Sequence, residues 1–86
     1  MTTKVKVLYF ASLREAVGRS GEELELPVGV TTVGALRTHL SGRGEGWQAL
    51  AAGRNVRAAL NQCMVGAEAA VAAGDEVAFF PPVTGG

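Results

Sequence analysis

The chain has few of the residues on which many functional sites depend. Its 86 residues include one cysteine and one histidine, which excludes a disulfide framework and a multi-cysteine zinc site. Lysine plus arginine number 8 and aspartate plus glutamate number 8, so the formal net charge is zero. This balance argues against nucleic acid or an anionic membrane as the main partner, because both attract a basic surface.

Long apolar runs are also missing. No segment approaches the roughly 18 apolar residues that a membrane-spanning helix needs, and residues 1–7 lack the layout of a secretory signal. The composition is 48% hydrophobic and 19% charged with 12 glycines, which is typical of a folded globular chain. We therefore expect one cytoplasmic domain over residues 1–86, in which 81–86 form an extended C-terminal tail.

Hydrophobic periodicity predicts five strands and two helices. Ser12 and Glu15 have the spacing of a capping box, which predicts a short first helix that Gly18 ends. Thr31 or Thr32 caps the main helix, in which Val33, Leu36 and Leu40 recur at helical spacing. The predicted strands cover residues 5–11, 22–26, 56–60, 63–65 and 76–80. The first and last of them are the most apolar and should be central. This order predicts an α+β fold, the β-grasp, in which a mixed sheet of about five strands packs on one main helix plus short helices.

Side chains with catalytic potential are few, and each has a simpler interpretation. His39 lies at a helix position typical of a surface histidine, and Asp75 and Glu76 follow a glycine in a predicted turn. Cys63 lies in a short predicted strand, which is more typical of a core or edge residue than of a reactive thiol. The glycines at 42, 44 and 46 lack the Lys-Ser or Lys-Thr of a phosphate-binding loop.

The C-terminal tail carries the strongest chemical signal. Pro81 and Pro82 favour an extended exit from the last strand, and Gly85 and Gly86 are slim enough to enter a narrow channel. A carboxylate delivered in this way can attack the α-phosphate of ATP held on another protein. A sulfur nucleophile can then attack the acyl-adenylate and displace AMP, which leaves a thiocarboxylate. The alternative is a frayed terminus, since two final glycines are weak evidence in a chain with 12 of them.

A second signal is an apolar surface opposite the predicted core face. If Val7 and Tyr9 face the helix, Phe10 and Phe80 face away from it, and Met64 is expected on the same side. An apolar patch on the outside of a small sheet usually marks an interface. The alternative is that the loop around Trp47 covers these side chains.

The motifs resemble those of the small, sulfur-carrying subunits of molybdopterin synthase, a ubiquitin-like β-grasp family. The resemblance covers nearly the whole chain. Its strongest stretches are residues 6–11 with 13–15, residues 58–62, and residues 73–86, which read AGDEVAFFPPVTGG.

This resemblance implies a sulfur-transfer cycle. An adenylating enzyme activates the Gly86 carboxylate with ATP, and a sulfur donor protein converts it to a thiocarboxylate. The carrier then inserts its tail into the large subunit, where the sulfur passes to cyclic pyranopterin monophosphate and builds the molybdopterin dithiolene. Two carriers and two large subunits form a heterotetramer. The chain itself binds no cofactor or metal and acts as a co-substrate rather than as an enzyme.

The resemblance also assigns residues. Gly86 carries the sulfur and Gly85 keeps the tail slim. The residues expected to contact partners are Phe10, Met64, Phe80 and Arg14 on the domain and Pro81, Pro82, Val83 and Thr84 in the tail.

Three other functions remain open at this point. A thiamine-pathway sulfur carrier shares the terminal glycines, although the Phe-Phe-Pro-Pro element favours the molybdopterin pathway. A ubiquitin-like modifier, conjugated to lysines through Gly86, would share the activation step. A β-grasp binding module with an inert tail would tolerate the loss of Gly85 and Gly86.

Overall fold

The computed structural model describes residues 3–51 and 55–82. The elements are β1 (Lys4–Tyr9), α1 (Ala11–Val17), β2 (Gly21–Glu25), α2 (Val33–Ser41), a 3-10 helix (Trp47–Leu50), β3 (Arg57–Leu60), β4 (Cys63–Val65) and β5 (Glu76–Phe80). The predicted order is confirmed, and the strand boundaries differ from the predicted ones by no more than one or two residues. None of the helices in residues 3–51 and 55–82 combines the length and the apolar character that a membrane span requires.

The five strands form one mixed sheet. Their order is β2-β1-β5-β3-β4, with β5 in the centre and β1 beside it. The β1–β5 pair is parallel, whereas β1–β2, β3–β4 and β3–β5 are antiparallel. The prediction that the two most apolar strands lie inside the sheet is therefore confirmed. This is the α+β, β-grasp arrangement that the sequence predicts.

The core lies between α2 and one face of the sheet. Alternate residues of β1 and β5 face it, and the helix contributes side chains at helical spacing. The central members of this core are Val5, Val7, Tyr9, Val33, Leu36, Leu40, Val77 and Phe79. At the start of α2, the Thr32 hydroxyl accepts a hydrogen bond from the Ala35 amide at 3.1 Å. Thr32, and not Thr31, is therefore the N-cap.

The start of α1 differs from the prediction. The helix begins at Ala11 after an extended Phe10, and no side chain caps it, so Ser12 lies inside the first turn. The reason is tertiary, because the Phe10 amide donates to the Phe79 carbonyl oxygen at 3.1 Å and thereby extends the sheet through Phe10. The predicted capping box is therefore wrong. Gly18 ends the helix in the left-handed region, with φ of 80°, as predicted.

The segment that contains Trp47 packs on the core side of the sheet. The Trp47 ring meets Tyr9 edge-on, with ring centroids 5.4 Å apart and planes at 79°. From α2, the Arg37 guanidinium donates to the carbonyl oxygens of Leu50 at 2.6 Å and Ala51 at 2.8 Å. Burial lowers the pKa of Arg37 from its ordinary value. The alternative in which the Trp47 loop covers the opposite face is therefore wrong.

Glu22 joins this segment to the sheet. Its carboxylate accepts hydrogen bonds from the Tyr9 hydroxyl at 2.9 Å and from Arg43 at 2.8 Å, and a weaker one from Arg19 at 3.3 Å. The Arg43 guanidinium also lies over the Trp47 ring, 4.7 Å from its centroid. Burial and the hydrogen bond to Glu22 both raise the pKa of the Tyr9 phenol well above its ordinary value. The cluster is a structural clamp that holds the Trp47 segment against β1 and β2.

The β3–β4 turn is fastened to the start of β5. Asn61 donates from Nδ2 to an Asp75 carboxylate oxygen at 3.1 Å and accepts from the Glu76 amide at 2.9 Å. The other Asp75 carboxylate oxygen accepts from the Ala72 amide at 2.9 Å. Asp75 therefore stabilises a turn, in agreement with the simpler interpretation of this acidic pair.

The same turn supports a stability prediction. Gln62 has φ of 73°, a left-handed conformation that glycine adopts without steric cost. We expect Gln62→Gly to raise the free energy of unfolding by about 0.5–1 kcal/mol, measured by urea denaturation. The matched control is Gln48→Gly, because Gln48 is also exposed but lies in the 3-10 helix and should lose stability. A destabilised Gln62→Gly chain would contradict the assignment of strain to this turn.

Candidate functional site: the outer face of the sheet

The sheet face opposite the core carries a row of apolar side chains. Leu8 of β1 lies opposite Ala78 of β5. Ala78 lies opposite Ala59 of β3, and Ala59 lies opposite Met64 of β4. The row therefore crosses four neighbouring strands. Because side chains alternate between the two faces, these residues point away from the buried core residues Val77 and Phe79.

Two phenylalanines extend this row toward the end of β5. Phe80 is the next outward-facing residue after Ala78 and is half-buried. The register of β1 and β5 places Phe10 opposite Phe80, and the hydrogen bond from the Phe10 amide to the Phe79 carbonyl holds it there. The row and the two phenylalanines together form an outer apolar patch, which consists of Leu8, Phe10, Ala59, Met64, Ala78 and Phe80.

Exposure distinguishes the outer apolar patch from ordinary surface. The large hydrophobic residues exposed among the described ones are Phe10 at 48%, Met64 at 64% and Val28 at 106%. Two of these three belong to the patch, whereas Val28 follows β2 at the opposite end of the sheet. Exposed apolar side chains such as Phe10 and Met64 on one face of a sheet are typical of a protein–protein interface.

The predicted tail begins at the edge of this patch. Pro81 and Pro82 follow β5 directly and are half-buried. The chain therefore leaves the sheet beside Phe80 and Phe10. The other predicted tail residues, Val83, Thr84, Gly85 and Gly86, lie outside the described residues.

Arg14 lies near the same end of the sheet. It is exposed on α1, and its amide donates to the Phe10 carbonyl oxygen at 3.4 Å. The structure thus brings Phe10, Phe80, Pro81 and Arg14 to one end of the molecule, while Met64 lies farther away on the edge strand β4.

The residues set aside as catalytic candidates lie elsewhere. His39 is exposed on α2, as predicted for a surface histidine. Cys63 is exposed on the edge strand β4, in agreement with its interpretation as an edge residue.

Sequence reasoning did not single out Arg57, which the structure places on the outer face. In β3, Ala58 and Leu60 pack against the core, so Arg57 and Ala59 face outward. Arg57 lies directly opposite Phe80. The alternation of side chains in β3 could have predicted that Arg57 faces outward. Only the pairing of β3 with β5 shows that its cross-strand neighbour is Phe80.

The chain is similar to known proteins along most of its length. The model of the ThiS family matches residues 7–86. The chain belongs to the ThiS family. It is 43% identical over 82 residues to a protein of Escherichia coli called molybdopterin synthase sulfur carrier subunit, covering 95% of this chain and 99% of that protein. A Haemophilus influenzae protein of the same name is 42% identical, with the same coverage. The resemblance indicated by the sequence motifs is confirmed.

Similar solved structures confirm the ubiquitin-like β-grasp. A Pyrococcus furiosus protein described as subunit 1 of a molybdopterin converting factor superimposes with a TM-score of 0.76 and 34% identity, over 95% of this chain and 100% of that one. Haloferax volcanii SAMP1, a small archaeal modifier protein, gives 0.73 and 29%, over 96% and 99%. A chain from the Helicobacter pylori complex of molybdopterin-converting factor subunits 1 and 2 gives 0.66 and 21%, over 96% and 99%, which shows the fold alone.

Proposed function

We propose that this chain is the sulfur carrier of a molybdopterin synthase in molybdenum cofactor biosynthesis. The observation that carries the proposal is its identity of 42–43%, over nearly its full length, to two proteins named as such carriers. The geometry is compatible, because the predicted tail starts beside an exposed apolar patch.

The chemistry takes place at Gly86. Its carboxylate attacks the α-phosphate of ATP on an adenylating enzyme, pyrophosphate leaves, and an acyl-adenylate forms. A sulfide equivalent from a sulfur donor protein then attacks the carbonyl carbon and displaces AMP, which leaves a thiocarboxylate. Pro81 and Pro82 restrict the backbone where the tail begins, and Gly85 adds no side chain near the reacting group.

The outer apolar patch is the docking surface for the large subunit in this proposal. The names of the two relatives contain the word subunit, which supports the existence of a second, larger subunit as partner. Burial of Phe10, Met64 and Phe80 against that partner would remove their apolar surface from water. Arg14, Val83 and Thr84 contribute further contacts near the tail. Two carriers and two large subunits assemble in the cytoplasm, and the catalytic groups belong to the large subunit. ATP is consumed by the adenylating enzyme, and the carrier binds no cofactor of its own.

Intact-mass spectrometry tests the carrier role. The purified chain is incubated with ATP, an adenylating enzyme and a sulfur source, and its C-terminal fragment is then analysed. We expect the mass gain of one oxygen replaced by one sulfur, localised to Gly86. Addition of the large subunit with cyclic pyranopterin monophosphate should return the mass to its original value, which separates this pathway from thiamine synthesis. An unchanged mass in the presence of a demonstrably active enzyme would contradict the proposal.

A second candidate function is protein modification. The observation that favours it is the fold similarity to Haloferax volcanii SAMP1 at 29% identity. A modifier would use the same Gly86 adenylate, but a lysine ε-amine instead of a sulfur nucleophile would take the acyl group as AMP leaves. Isopeptide-linked adducts that end in Gly86, found by digestion and mass spectrometry of cell extracts, would demonstrate this second use.

A further inference from the structure

We propose that Arg57 determines which partner docks on the outer apolar patch, by pairing with a carboxylate of the large subunit. The inference rests on the proposed function and adds to it the chemistry of the partner surface. That surface combines an apolar recess for Phe80 with an aspartate or glutamate beside it.

The first observation is the register of charged residues on the outer face. Lys4 lies opposite Glu25, and Lys6 lies opposite both Glu23 and Glu76. Each lysine of β1 therefore has a glutamate on a neighbouring strand, as favourable cross-strand pairing requires. Arg57 instead lies opposite Phe80.

The second observation is that Arg57 is available. It is exposed and forms no salt bridge with another described residue. No hydrogen bond or ring contact joins its side chain to another described residue. Glu68 is the acidic residue nearest in sequence to the end of β4. The Glu68 carboxylate lies beside Gly66, with one oxygen 2.7 Å from where the Cβ of a larger residue 66 would be. It forms no salt bridge with Arg57.

The consequence follows from the cost of desolvation. A partner that covers Phe80 must also cover or border Arg57, because the two residues are direct cross-strand neighbours. A guanidinium that loses its water without gaining an acceptor destabilises the complex. A carboxylate reverses this effect, since the planar guanidinium can donate two parallel hydrogen bonds to it. Arg57 therefore favours a partner with an acidic group here and disfavours one with an apolar or basic surface.

Binding of the large subunit to single variants tests the proposal. The dissociation constant is measured by isothermal calorimetry for the wild-type chain, Arg57→Gln and Arg57→Glu. We expect Arg57→Gln to raise Kd roughly tenfold and Arg57→Glu to raise it further, since the reversed charge repels the carboxylate. The difference between wild type and Arg57→Gln should shrink as salt is added.

Lys4→Gln is the matched control. It removes the same unit charge from the outer face, but Lys4 lies at the other end of β1, roughly 20 Å from Phe10. We expect its Kd to equal that of wild type. Thermal unfolding of each variant checks that the exposed substitutions leave the fold intact.

The outcomes separate the two proposals. If wild type binds the large subunit and Phe80→Ala weakens binding, but Arg57→Gln binds within twofold of wild type, the role of Arg57 is refuted and the proposed function stands. An equal weakening by Lys4→Gln would also refute it, because net charge and not position would then control binding. If the wild-type chain itself fails to bind the large subunit, the proposed function is refuted, and the role of Arg57 is refuted with it.

Discussion

Deletion of Gly86 is expected to abolish sulfur transfer while it leaves the fold intact. The shortened chain would still end in a carboxylate, but that group would lie about 3.5 Å short of the site where the adenylating enzyme reacts. A displacement of about 1 Å can cost roughly 100-fold in rate, so we expect at least that loss in thiocarboxylate formation. Stability should not change, because the core runs from Val5 to Phe79.

Intact-mass spectrometry measures the transfer, and urea denaturation measures the free energy of unfolding. Gly86→Ala is the matched control, since it keeps both the length of the tail and the terminal carboxylate. We expect it to retain measurable sulfur transfer, which would show that the position of the carboxylate is what the deletion removes. Undiminished thiocarboxylate formation in the deleted chain would contradict the assignment of the reacting carboxylate to the position of Gly86.

Phe80→Ala is expected to weaken binding to the large subunit by about 2 kcal/mol, or roughly 30-fold in Kd. Phe80 lies in the outer apolar patch at the point where the tail leaves β5, so its ring would be covered by any partner that receives the tail. Because Phe80 is half-buried and faces outward, the loss in stability should be smaller than that in binding. Calorimetric titration gives Kd, and urea denaturation gives the stability of the same variant.

Two controls bracket this result. Phe79→Ala, one residue earlier in β5, removes a fully buried ring from the opposite face and should cost about 3–5 kcal/mol of stability. Val28→Ala removes an exposed apolar side chain at the far end of the sheet and should change neither quantity. If Phe80→Ala forms the complex as well as wild type does, Phe80 is not an anchor of the interface.

Local patterns in the sequence were sufficient for most of the fold. The limits of β4 and β5 and the Gly18 terminus of α1 were predicted, and the cap of α2 was predicted as Thr31 or Thr32, because each depends on residues within one turn or strand. The alternation in β1 also identified Phe10 as outward-facing. In the same way, the sequence predicted that Phe10 and Phe80 face outward and that the tail starts directly after β5.

Contacts between distant residues decided the rest. Helix α1 begins at Ala11 because the Phe10 amide donates a hydrogen bond to the Phe79 carbonyl oxygen. Phe79 is far from Phe10 in the sequence, so no local motif could predict this contact. Trp47 lies in the core because Tyr9 and the clamp around Glu22 hold it there.

By itself, then, the sequence determined the class of fold, the family and the tail that carries the proposed chemistry, since these depend on short-range periodicity and on motifs. Only the tertiary structure decided that the Trp47 segment packs on the core side and does not cover the outer face, and that Arg57 lies opposite Phe80 on that outer face. The physical reason is that strand pairing and side-chain packing join residues that are far apart along the chain, such as Arg57 and Phe80 or Glu22 and Arg43.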